Sequence, residues 1–346
     1  MDLSDNNIQD SSIHILNEID TTSYETKQLP ESHNSNSGGW THTIKHYFPH
    51  YKYQNIGTVQ IEERPSWLHC IAYGIQHVLA MFSGVIVLPL ILGYDSNSTY
   101  KHSIPSLFFS GLSTFVFFIV TGGRVPSYLG CSGSFVSIIL TISNYTSTPD
   151  SGMNTNTSSV QGAIFVLSLT YAAVALIVMV FGYTWLEFIM PPIVTGSIIT
   201  SIGLHLSFLS YDEATTSSFD TYMAIATAAA VMLISVYAPT NALRTMVGYF
   251  IHAMCGLKGI GPPIDYSEIA SNPWIRAPSA YFGLKFDAGS IGMVMPILVV
   301  LLAENLGPML RFVGRAYLGD ALGCLVASLT GAVPFTTYAE NIGVLV

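Results

Sequence analysis

Between residues 67 and 92 the chain runs without a single Asp, Glu, Lys or Arg, and the same holds for 104–120 and 162–181. A helix needs about 20 apolar residues to cross the hydrocarbon core of a bilayer. A run of this length therefore constrains the fold more than any motif does. The charges are distributed accordingly. Thirteen of the 33 charged residues fall in the first 64 positions, leaving 20 for the remaining 282. This pattern predicts a polar tail followed by an all-α polytopic membrane protein. The net charge of -9 excludes a basic nucleic-acid binder. Cys70, Cys131, Cys255 and Cys324 show no CxxC spacing and read as packing residues, with no metal site.

Residues 1–64 are rich in Ser, Asn, Thr and Asp and are expected to be a disordered tail, including the aromatic and basic stretch 42–53, for which a place on the membrane surface is the alternative. No signal peptide is visible, so the first membrane helix is expected to do the targeting. Beyond it, apolar segments are expected at 67–92, 104–120, 128–142, 162–181, 189–208, 222–238, 245–257, 291–306, 318–333 and from 338 onward. The loops 94–103 and 144–161 are nearly free of Lys and Arg and hold Asn-X-Ser/Thr sites at Asn97, Asn144 and Asn156. Arg64, Arg124, Arg244, Arg311 and Arg315 border the opposite loops. The positive-inside rule then places the N-terminus in the cytoplasm.

Two segments echo one another. Gly123-Arg-Val-Pro-Ser-Tyr-Leu-Gly-Cys-Ser-Gly-Ser-Phe135 and Gly331-Ala-Val-Pro-Phe-Thr-Thr-Tyr-Ala-Glu-Asn-Ile-Gly343 both break a helical pattern with Gly and Val-Pro. Broken backbone at membrane depth is tolerated only where it lines a protein cavity. Paired breaks in two halves of a chain point to a transport site. Glu304 and Glu340 stand in apolar surroundings, where a carboxylate must be paired, hydrogen-bonded or protonated. Such a group can hold a ligand with N–H donors and carry a proton. It can equally be a helix–helix hydrogen bond. Asp320, after Gly319, reads as a helix N-cap.

These motifs make residues from about 65 to 346 resemble the nucleobase–cation symporter 2 family, the nucleobase/ascorbate transporters. The match rests on Gln76-His77-Val78-Leu79-Ala80-Met81-Phe82 with Pro89, on Val125-Pro126-Ser127-Tyr128-Leu129-Gly130, on Met190-Pro191-Pro192-Ile193-Val194-Thr195-Gly196 and on Thr336-Thr337-Tyr338-Ala339-Glu340-Asn341-Ile342-Gly343-Val344, with Ala303-Glu304-Asn305 in support. The resemblance implies fourteen segments in two inverted repeats of seven, with segments 3 and 10 broken and each carrying a short strand. Residues 65–288 would be the first repeat and 289–346 segments 8–10 of the second. It implies a secondary transporter, not an enzyme, importing uracil or a related nucleobase with a coupling proton and without a cofactor. It also implies a plasma-membrane location and a possible homodimer. Substrate contacts would come from Glu304, Glu340, Tyr338, Ala339 and Gly133. Glu304 would carry the proton, with His77 and Asn341 behind the site. The Tyr-Ala-Glu-Asn stretch is similar to the uracil type rather than the purine type. An anion exchanger of the same fold would lack it.

Three departures stand out. Gly133 replaces the family's site phenylalanine, and a strand there would put Phe135 on the same face as a substitute. Pro308 replaces a histidine that follows the segment 8 glutamate. The spacing between Glu304 and Asp320 is short for a helix end and a turn, which suggests a deletion near 308–319. With the chain ending in segment 10, a truncated, non-transporting relative or a gene-model fragment is the alternative.

Overall fold

The computed structural model describes residues 47–48, 51–53, 63–93, 103–145, 154, 156–215, 217–237, 251, 254–255, 283–306 and 312–338. The helices are α1 (Trp67–Ile91), α2 (Ser103–Thr121), α3 (Val136–Ser143), α4 (Thr157–Phe181), α5 (Thr184–Ile189), α6 (Pro192–Ala214), α7 (Ser218–Tyr237), α8 (Ala288–Val294), α9 (Ile297–Leu306) and α10 (Val313–Thr330). Four short strands join them: β1 (Lys52–Tyr53), β2 (Glu63–Arg64), β3 (Leu129–Cys131) and β4 (Phe335–Thr337). Among the described residues, two helices are long and apolar enough to cross a membrane, α1 and α4. At 25 residues each, they reach about 37 Å, against a hydrocarbon core of about 30 Å.

The other expected segments are shorter or divided for local reasons. The 128–142 stretch is a strand, a 3₁₀ turn at Gly133–Phe135 and then α3. The 291–306 stretch breaks between α8 and α9 at Met295 and Pro296, where proline has no N–H to give the helix. α6 opens on Pro192 at its first position, where a missing N–H costs nothing. Asp287 caps α8, accepting from the Ser290 amide and hydroxyl, both at 2.8 Å. The segments expected at 245–257 and from 338 lie almost wholly outside the described residues, which reach only 251, 254–255 and 338 there.

The core lies where α10 packs against α4 and α2. α4 presents Val160, Ile164, Leu167, Tyr171, Ala175 and Val178, buried at helical spacing. α10 answers with small residues. A side chain at Gly319 would run into Phe117, and one at Gly323 into Leu129. Small residues of this kind let helix backbones approach closely in a membrane interior. Gly331, at φ 73°, ends α10 in the left-handed region and turns the chain toward β4. From α4, the Gln161 amide donates to the Ala332 carbonyl at 3.2 Å and holds that turn in place.

Part of the stretch expected to hang loose is docked instead. The Tyr47 hydroxyl donates to the Val120 carbonyl at 2.6 Å and that of Tyr51 to Gly123 at 3.0 Å. Phe48 stacks on Phe118, and the Arg315 guanidinium lies 5.1 Å from the Tyr47 ring centroid. Aromatic residues in a polar tail gain from covering an apolar helix end. Residues 1–46, 49–50 and 54–62 lie outside the described residues.

Candidate functional site

β3 and β4 pair antiparallel, with Leu129 opposite Thr337, Gly130 opposite Thr336 and Cys131 opposite Phe335. The two echoing segments therefore meet as one ribbon. Backbone bonds extend it at both ends, from Tyr338 N to Tyr128 O and from Ser132 N to Pro334 O, each 2.9 Å. Pairing satisfies backbone groups that the apolar interior would otherwise leave exposed.

The residue after the ribbon, Tyr338, is 8% exposed. Its ring lies against Gly130 of β3 and its hydroxyl against Gly84 of α1, closer than any side chain at either position would allow. Glycine is required at both places by this approach. Cys131 sits beside the same stretch of α1, its thiol directed at the Val85 carbonyl at 3.8 Å. His77, half-buried on α1, stands two turns before Gly84, about 10 Å along the axis.

Past β3, the 3₁₀ turn carries Gly133 and Ser134 towards α9 and α6. The Ser134 hydroxyl donates to the Glu304 carboxylate. Glu304 is partly buried in α9, beside fully packed Ala303. The Tyr317 hydroxyl of α10 holds α9 at the carbonyl of Leu302, at 2.7 Å. Opposite Gly133, a methyl of Leu206 from α6 lies 3.1 Å from where a Cβ would stand. The structure thus joins Gly133, Ser134 and Glu304 at one end of the ribbon and Tyr338 at the other.

Two expectations need correction. Residues 133–135 form a 3₁₀ turn, not a strand, because β3 ends at Cys131. At three residues per turn, positions 133 and 135 point apart. Phe135 is fully buried in the core rather than aligned with Gly133. Asp320 is not an N-cap either. α10 begins at Val313, so Asp320 lies eight residues in, fully buried, and it accepts from the Thr337 hydroxyl at 2.9 Å. Cys324 lies near both Asp320 and Glu304 and donates its thiol to the Phe335 carbonyl at 3.2 Å. Ser134, Leu206 and Asp320 were not singled out for this site in the sequence. For Asp320 the available signal was an acidic residue amid the small and apolar residues 316–328.

Ala339, Glu340 and Asn341 lie outside the described residues, as does Pro308. The region of the suspected deletion is divided: 308–311 is outside them, and 313–319 is helical. Among the described residues no cluster of metal-ligating side chains is present.

A ribbon of two broken segments, held at the centre of an apolar helix bundle beside a carboxylate, is the architecture of a multi-pass membrane transporter. The Permease family model, that of the xanthine/uracil permeases, matches residues 68–346, and the chain belongs to this family. The chain is 32% identical over 320 residues to a protein of Escherichia coli (strain K12) provisionally named pyrimidine permease RutG, covering 86% of this chain and 70% of that one. It is 29% identical to a uracil permease of Bacillus caldolyticus, with 84% and 69% covered, and 28% identical to one of Bacillus subtilis (strain 168), with the same coverage. The resemblance drawn from the motifs is borne out, and so is the expectation of a transporter rather than an enzyme.

Proposed function

We propose that this permease takes up uracil or a related pyrimidine across the plasma membrane, driven by a proton. The observation that carries the reading is the contact between Ser134 and Glu304. It brings the turn of a broken segment to a partly buried carboxylate. A carboxylate accepts two hydrogen bonds and suits adjacent N–H groups on a base edge. Glu304 would bind the base and take the proton, with Glu340 as the second carboxylate and Ala339 and Gly133 reading carbonyls through their amides. Tyr338 would wall the pocket, and His77 and Asn341 would support it from behind. Leu206, over Gly133, supplies apolar surface that Phe135 does not. The names of the E. coli and Bacillus relatives support the substrate class.

The same reading takes the fold as the first repeat and part of the second of a 7+7 inverted-repeat transporter, working as a homodimer. Its cytoplasmic side would be the end that carries Arg124, Arg315 and the docked Tyr47, with Asn144 and Asn156 outside. The test is uracil binding and uptake by the parent, by Glu304→Gln and by Glu340→Gln, with a protonophore control. Saturable uracil binding that both variants lose, and uptake that the protonophore abolishes, is the expected result. Wild-type affinity in both variants would sink the assignment.

A further inference from the structure

A strand inside a membrane protein has two edges, and each must find partners. β4 covers one edge of β3. The other faces α2, a helix, which has no free backbone groups in its middle to offer. The sequence of α2 resolves this. Ser106, Ser110 and Thr114 recur every four residues and so share one face. Each meets a different residue of the broken segment.

Thr114 makes the central contact. The Leu129 amide donates to its Oγ1 at 3.0 Å, while its own proton goes to the Ser110 carbonyl at 2.8 Å. A hydroxyl that donates within its helix and accepts from the strand replaces a missing strand neighbour at this point. One turn earlier, the Ser110 hydroxyl lies 3.0 Å from the Leu107 carbonyl and shares a hydrogen bond of 2.5 Å with the Tyr128 hydroxyl. A further turn back, Ser106 lies beside the Cys131 thiol. Ser106 and Ser110 are fully buried.

We infer that Thr114 closes the free edge of β3 at Leu129, while Ser110 and Ser106 hold the flanking side chains of Tyr128 and Cys131, and that together they set the position of the ribbon, making Thr114 a positioning residue for the substrate site. The role in substrate affinity rests on the nucleobase reading; the edge closure does not. Thr114→Val keeps shape and removes the acceptor, leaving the Leu129 amide without it. Thr114→Ser keeps the hydroxyl. Thr170→Val is the control, because among the described residues the Thr170 hydroxyl serves only the Val166 carbonyl of its own helix, at 3.0 Å.

The full chain, purified in detergent, is followed by uracil-dependent thermal stabilisation and by amide exchange over residues 127–132. In Thr114→Val, half-maximal stabilisation should need roughly tenfold more uracil, the scale of one lost hydrogen bond. Thr114→Ser and Thr170→Val should stay within about twofold of the parent, which is well under one such bond. Exchange at 127–132 should quicken in Thr114→Val alone. Unchanged uracil dependence and unchanged exchange in Thr114→Val would overturn the inference, as would a loss shared equally with Thr170→Val. Should uracil stabilise none of the proteins, the nucleobase reading fails and exchange alone decides. Faster exchange in Thr114→Val but not in Thr114→Ser then upholds the edge closure, and equal exchange overturns it. If Thr114→Val does not insert, Thr114→Ala against Thr114→Ser makes the same comparison.

Discussion

The hydroxyl of Thr337 donates to Oδ1 of Asp320 at 2.9 Å, tying β4 to the middle of α10. The carboxylate is fully buried. A buried hydrogen bond contributes about 1 kcal/mol, and up to about 3 kcal/mol where the acceptor is ionised. Thr337→Val should lower unfolding stability in detergent by about that amount, and Thr337→Ser should keep most of it. Equal losses in both variants would mean that the methyl group, not the hydroxyl, matters here.

Tyr338 and Gly130 are packed so closely that no Cβ fits between them. Gly130→Ala should cost about 1–3 kcal/mol by overpacking. In a Tyr338→Ala background the same change should cost almost nothing. A double-mutant cycle measures the coupling, and additive effects would show that Tyr338 does not press on Gly130.

Among the described residues, the Ser134 hydroxyl bonds the Glu304 carboxylate. Ser134→Ala should therefore weaken uracil binding roughly tenfold. Titration calorimetry on the purified variant checks this. An unchanged affinity would detach the turn from the proposed site.

Docking of the N-terminal stretch rests on identifiable atoms. Tyr47→Phe loses the bond to Val120 but keeps the ring against Arg315, and should cost about 1 kcal/mol. Tyr47→Ala loses both and should make cleavage by trypsin near Lys45 and Lys52 markedly faster. The same cleavage rate in parent and both variants would argue against docking.

Asp287 sits at the start of α8, where the Ser290 amide and then its hydroxyl stabilise the ionised carboxyl. Its pKa in the folded chain is thereby held below the ordinary 3.8. A depressed carboxyl pKa contributes stability that is present above the unfolded value and lost as pH falls through the folded one. Stability should thus fall in that acidic window in the parent, and less so in Asp287→Asn, whose amide still caps without titrating. Melting curves of the two from pH 7 downward give the comparison; parallel curves would mean the cap does not report on pH.

Helix placement was largely legible because uncharged runs have few alternatives. The run 67–92 became Trp67–Ile91. The two Val-Pro breaks became β3 and β4, since proline and glycine interrupt a helix wherever they fall. Their pairing with one another was not readable, because it joins positions some two hundred residues apart and leaves no local periodicity. Asp320 was misread as a cap because Gly319 before it looked like a helix start. That glycine serves instead to admit Phe117. Phe135 was misplaced because strand and 3₁₀ geometry differ in period, and three residues are too few to display one.

The antiparallel match of Leu129 with Thr337 fixes an order of events during synthesis. β3 leaves the ribosome with the first membrane helices, while β4 follows only after α10 has been made. Contacts of such separation form late and slowly. Until β4 is made, β3 has α1 and α2 beside it but no strand partner, so a nascent chain stalled before Phe335 would be inserted in the bilayer yet hold no finished ribbon.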